Sequence, residues 1–78
     1  MPTVLFIKGF RFFFYSNEGF EQQHIHVEKG DAVAKFWLED IELEYNYGFK
    51  PGDLKILFEL IEGNQDYFKQ KWNEYFGK

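Results

Sequence analysis

Apolar and polar positions alternate through the first half of this chain with a period of two, the signature of half-buried strands. Val4, Leu5, Phe6 and Ile7 form one apolar run, and Arg11, Phe12, Phe13, Phe14 and Tyr15 form a second strand-like run that answers it. Gly9-Phe10 lies between them, and a glycine at the first central position suits a type II′ hairpin turn. That turn pairs Lys8 with Arg11, Ile7 with Phe12, Phe6 with Phe13 and Leu5 with Phe14. A turn-rich stretch over residues 17–22 predicts a loop. A second hairpin follows around Gly30-Asp31, pairing His24 with Trp37, Ile25 with Phe36, His26 with Lys35 and Val27 with Ala34.

The two hairpins sort their side chains consistently. One face collects Leu5, Ile7, Phe12, Phe14, Ile25, Val27, Ala34, Phe36 and Leu38, all apolar. The other collects Phe6, Lys8, Arg11, Phe13, Tyr15, His24, His26, Glu28, Lys35 and Trp37. A one-residue slip would exchange these sets, so the pattern itself specifies the faces. Ile41 to Tyr45 alternates as well and predicts a short fifth strand, whose glutamates would blunt a sheet edge.

The period changes after Tyr47. Pro51 fits the first turn of a helix. Leu54, Leu57, Phe58 and Ile61 then recur at helical spacing. Gly63 reads as a stop, and Asn64 as the cap of a second helix with a stripe of Phe68, Trp72, Tyr75 and Phe76. One kinked helix from Pro51 to Phe76 is the alternative. Either way the helical segment belongs on the all-apolar face. The expected architecture is one α+β domain over residues 1–78. It has an antiparallel sheet of four to five strands (about 3–46), built from two N-terminal hairpins, and two C-terminal helices (about 51–76) on one face.

Composition explains how so short a chain builds a core. A 78-residue domain buries only about 60–65% of its unfolded surface. Eleven Phe, five Tyr and two Trp compensate, since each ring buries roughly 150–250 Å². There is no cysteine, so disulfides and thiolate metal sites are excluded. Met1-Pro2-Thr3 runs into strand-like sequence without a signal-peptide pattern. No apolar run approaches the roughly 20 residues of a membrane span. A net charge of −4 disfavours nonspecific binding to nucleic acid or anionic lipid. These features predict a cytoplasmic protein with no membrane association and no cofactor.

Four candidate sites stand out. The stretch KGFRFFFY, residues 8–15, matches the RNA-recognition strand motif at Lys8, Gly9, Phe10, Phe12 and Tyr15. Arg11 and Phe13 depart from it, and the surrounding order of strands is wrong for that domain, so a hairpin feeding the core is the better reading. His24 and His26 alternate with Ile25 and share a face about 7 Å apart, which makes them candidate metal ligands or acid–base groups. No clear third ligand accompanies them, and Lys35 opposite His26 would oppose a cation, so a solvated or partner-contacting pair is expected. Glu39, Asp40, Glu42 and Glu44 form an acidic run of the kind that usually lies on a solvated edge. The remaining candidate is the open sheet face itself. Aromatics and arginine are enriched at interface centres, so Arg11, Phe13, Tyr15, His24, His26 and Trp37 are expected to bind a protein partner or a second copy, with cover by the chain's own C-terminal segment, or a nucleic acid or small ligand, as the alternatives.

The same residues carry a family resemblance. MPTVLFIKGFRFFFYSNEG, HIHVEKGDAVAKFWLEDIELEYNYGF and the later Asn64…Trp72-x-Glu74-x-Phe76 pattern resemble a family of short prokaryotic proteins, domain of unknown function 4160. The chain departs at Gln22-Gln23, where members commonly carry prolines. The resemblance brings no catalytic residues. It implies a gene neighbourhood shared with another small family of unknown function (number 2442), an arrangement like a toxin–antitoxin pair. The expected function is therefore a small interaction module, one component of such a pair. The alternative is a small histidine- or metal-dependent enzyme acting on nucleic acid or nucleotides through His24 and His26.

Overall fold

The computed structural model describes residues 3–17 and 19–77. Met1-Pro2 ahead of the first strand, Glu18 of the predicted loop, and Lys78 lie outside the described residues. Five strands, β1 (Thr3–Ile7), β2 (Phe10–Phe13), β3 (His24–Lys29), β4 (Ala32–Trp37) and β5 (Glu42–Tyr47), precede two helices, α1 (Pro51–Gly63) and α2 (Gln65–Phe76). The strands form one antiparallel sheet in the order β1-β2-β3-β4-β5. The helices cover one face of it, so the fold is α+β.

The second hairpin has the expected register, from His24 opposite Trp37 to Lys29 opposite Ala32. The first hairpin differs. Its turn is Lys8-Gly9, and Ile7 pairs with Phe10, Phe6 with Arg11 and Leu5 with Phe12. Lys8 and Gly9 have φ of 55° and 83°, the two positive values of a type I′ turn. A non-glycine residue there costs about 1–2 kcal/mol. In return Phe10 leaves the turn and becomes buried, 2% exposed, and burying such a ring yields about 1.5–3 kcal/mol. Because each partner moves by two residues, every side chain keeps its predicted face.

The apolar face is the core. Phe12 packs on Phe68 of α2 with ring centroids 5.2 Å apart, Phe14 on Trp72 at 5.3 Å, and Phe36 on Phe58 of α1 at 5.1 Å. Leu57, Ile61, Phe68 and Trp72 are the buried residues of the helical stripe, and Phe10 and Phe49 join them. Leu5 and Ile7 are partly buried against this cluster.

The turns are held by side-chain amides. Asn46 at the end of β5 donates from Nδ2 to the Phe49 carbonyl and accepts from the Phe49 N–H, each at 3.0 Å, closing the approach to α1. Pro51 opens α1 without a side-chain cap. Asn64 separates two helices, but it does not cap α2 through its side chain. Its Nδ2 instead donates back to the Leu60 carbonyl at 2.8 Å, satisfying a C-terminal carbonyl of α1. Gln65 ties the β4–β5 turn to α2 by donating to the carbonyls of Leu38 and Glu39 at 2.6 and 3.1 Å.

Candidate functional site: the open face of the sheet

Alternation turns Arg11, Phe13, His24, His26, Lys35 and Trp37 away from the helices, as the sequence requires. These residues do not form a flat exposed surface. Residues 14–17 and 19–23, between β2 and β3, fold back over one end of the face. Tyr15 sets its ring edge-on to His26 at 4.5 Å, and Phe13 stacks on the same imidazole at 5.5 Å. His26 contacts His24 at 5.1 Å, and His24 contacts Trp37 at 5.6 Å. From the helical layer, Trp72 reaches around the end of the sheet to His24 at 4.8 Å.

The expectation of a solvated histidine pair is therefore not met. His24 is 0% and His26 3% exposed, and Phe13 is buried with them. The hydrophobic setting suits an imidazole whose polar atoms are paired. His24 Nδ1 lies 2.8 Å from the Gln22 carbonyl. A carbonyl only accepts, so Nδ1 carries the proton and donates. Tyr45 brings its hydroxyl to 3.5 Å from His26 Nδ1, a long contact at the limit of hydrogen bonding.

Around this buried layer sit the charged and accessible members. Arg11 donates through Nε to Thr3 Oγ1 at 2.8 Å, approaches Glu28 at 3.4 Å, and lies over the Phe13 ring at 4.5 Å. Lys35, itself mostly buried, meets Glu21 Oε1 at 3.0 Å and the Trp37 ring at 4.5 Å. Trp37 donates from Nε1 to Glu44 at 2.9 Å. Of the six residues singled out from sequence, Arg11, Tyr15 and Trp37 reach the surface, while Phe13, His24 and His26 form the layer that supports them. A substrate or metal would have to displace the Tyr15 and Glu21 cover to touch either imidazole. Among the described residues no group of three His, Cys, Asp or Glu is placed to hold a metal ion.

Three exposed aromatics stand out beside this set: Phe6 at 68%, Phe20 at 82% and Tyr47 at 66%. Phe6 was already on the open face by alternation. Tyr47 continues that alternation past the expected end of β5, with its ring 5.2 Å from Tyr45. Phe20 sits in a segment without periodicity, and no sequence signal marks it.

A groove of about 370 Å³ lies elsewhere, between the edge of β1 and the overhanging α2, and is lined by Thr3, Val4, Phe14, Tyr67, Lys71, Glu74 and Tyr75. Hydrogen bonds from Gln70 and Lys71, with the Lys71 charge, hold the Glu74 carboxyl below the usual carboxylate range. No helix among the described residues is long and apolar enough to cross a membrane.

These features define a small α+β module: a meander sheet with helices on one face and, on the other, an aromatic surface partly covered by the chain's own loop. The chain belongs to the family Domain of unknown function (DUF4160), whose model matches residues 9–73. No curated protein and no solved structure matches it.

Proposed function

We propose that this protein is a protein-interaction module of the cytoplasm, one component of a toxin–antitoxin-like pair, and that it docks its partner on the open sheet face. The observation that supports this is the combination on one face of accessible Arg11, Tyr15, Trp37 and Tyr47 above a packed layer of Phe13, His24 and His26. Rigid aromatics and arginine are the residue types that dominate interface energetics, and a pre-packed support lowers the entropy lost on docking. In this reading the histidines position the contact residues. The pairing with a second small protein comes from the gene neighbourhood that the family resemblance implies.

The test is co-purification of the tagged chain from its native host, with mass spectrometry of what accompanies it. Trp37→Ala and Tyr15→Ala are expected to weaken the complex at least tenfold while circular dichroism of the isolated chain stays native. Equal recovery of the complex from both variants on size-exclusion chromatography would remove the open face as the docking surface.

A further inference from the structure

Charge is unevenly distributed over the open face. On β2 and β4 the cations have anions beside them: Arg11 lies 3.4 Å from Glu28, and Lys35 lies 3.0 Å from Glu21. On β5 the carboxylates stand without cations. Glu42 pairs across the ladder with Trp37, so both point to the open face. The β4–β5 register passes from Tyr45 directly to Leu43, and this bulge releases Glu44 from the alternation. Its carboxylate turns to Trp37 and accepts from Nε1 at 2.9 Å. Glu42 and Glu44 are both exposed, and among the described residues neither makes an ion pair. Tyr45 and Tyr47 lie opposite Lys35 and Val33 on the same face, with ring centroids 5.2 Å apart, and Tyr47 is largely exposed.

Accessible rings beside uncompensated carboxylates suit a guanidinium, whose plane stacks on a ring while its N–H fork meets a carboxylate. We propose that the β5 side of the open face, formed by Trp37, Glu42, Glu44, Tyr45 and Tyr47, receives an arginine-bearing basic segment of the partner protein. This inference rests on the proposed function and names the chemistry of the partner at that face. Charge complementarity selects the occupant. A nucleic acid would bring phosphates toward two carboxylates. A second copy carries the same net charge of −4, and its Arg11 already donates to Thr3 and lies beside Glu28. Lys35 does not oppose the segment, because Glu21 offsets its charge. The segment lies on the face and does not extend the sheet, since glutamates on an edge strand resist strand pairing.

An NMR titration of the native chain tests it, with hexa-arginine as the probe. The peptide should move the Trp37 indole N–H and the Tyr45 and Tyr47 amides, bind more tightly than hexa-lysine, and weaken with added salt. Glu42→Gln with Glu44→Gln should weaken binding roughly fivefold. The glutamine amide still offers Trp37 an acceptor, so only charge is removed. Glu59→Gln with Glu62→Gln, at exposed positions of α1, changes the net charge equally and should leave binding unchanged. Equal losses from the two double variants, shifts spread evenly over the acidic residues, or equal binding of hexa-lysine would each overturn the proposal. If the partner complex depends on Trp37 and Tyr15 while the peptide ignores Glu42 and Glu44, this inference alone fails. A complex that survives Trp37→Ala and Tyr15→Ala defeats the proposed function and this inference with it.

Discussion

Trp72 touches His24 at 4.8 Å although the two side chains belong to opposite layers of the domain. Trp72 sits on the helix that packs under Phe14, and His24 points to the face the helices leave open. The contact is possible because His24 begins β3 at the end of the sheet, where α2 passes. Replacing Trp72 with Ala should cost about 3–5 kcal/mol, a large share of the roughly 4–12 kcal/mol expected for a chain of this length. Trp72→Phe is the more informative change. It should cost about 1–3 kcal/mol in urea unfolding and shift the His24 ring resonances in NMR spectra. Unmoved His24 signals would show that the two layers are not coupled there.

A second prediction concerns Gly19. A Cβ at this position would come within 2.5 Å of Phe76 Cδ1, closer than side-chain carbons pack. Gly19→Ala should therefore destabilise by about 1–3 kcal/mol and speed amide exchange at Gln22 and Gln23. In a Phe76→Ala background the same change should be nearly neutral. Additive costs in that double-mutant cycle would mean that the clash is not the mechanism.

Glu21 is predicted to hold the cover over the histidines through charge. Its carboxylate meets Lys35, which is 9% exposed. Glu21→Ala leaves that ammonium with the Trp37 ring in place of an anion and should cost about 1–3 kcal/mol. It should also increase quenching of Trp37 fluorescence by added iodide. Native quenching in a folded Glu21→Ala protein would argue that Tyr15 alone keeps the cover closed.

The Lys8-Gly9 turn offers a stabilising change. Asparagine tolerates positive φ better than lysine does. Lys8→Asn should raise stability by up to about 1 kcal/mol, seen as a higher urea midpoint with unchanged slope. A lower midpoint would imply that the Lys8 side chain makes a contact worth more than the strain.

Much of the fold was legible because alternation is a strict signal. The Phe12, Phe14, Ile25, Val27, Phe36 set and its opposite were separable from sequence, and the Gly30-Asp31 turn fixed one register outright. Gly9 admitted two turns, Lys8-Gly9 and Gly9-Phe10, and glycine alone does not choose between them. The choice came from Phe10, a ring that gains more in the core than Lys8 loses in a left-handed turn. The burial of His24 and His26 was not legible. Alternation tells which way a side chain points, but not whether an aperiodic segment or the end of a helix will lie across it. The only local sign of such a return was Gly19, whose missing side chain leaves room for Phe76.

The meander order has a kinetic consequence. Each strand pairs with its neighbour in sequence, so no ladder has to wait for a distant part of the chain, and contact order within the sheet is low. The largest closure entropy between strands falls on residues 14–23, whose described parts also lie over the histidines and under Phe76. Sheet assembly can therefore run ahead of that segment. The last non-local event in folding becomes the arrival of α2, when Phe76 meets Gly19 and Trp72 closes the end of the sheet over His24.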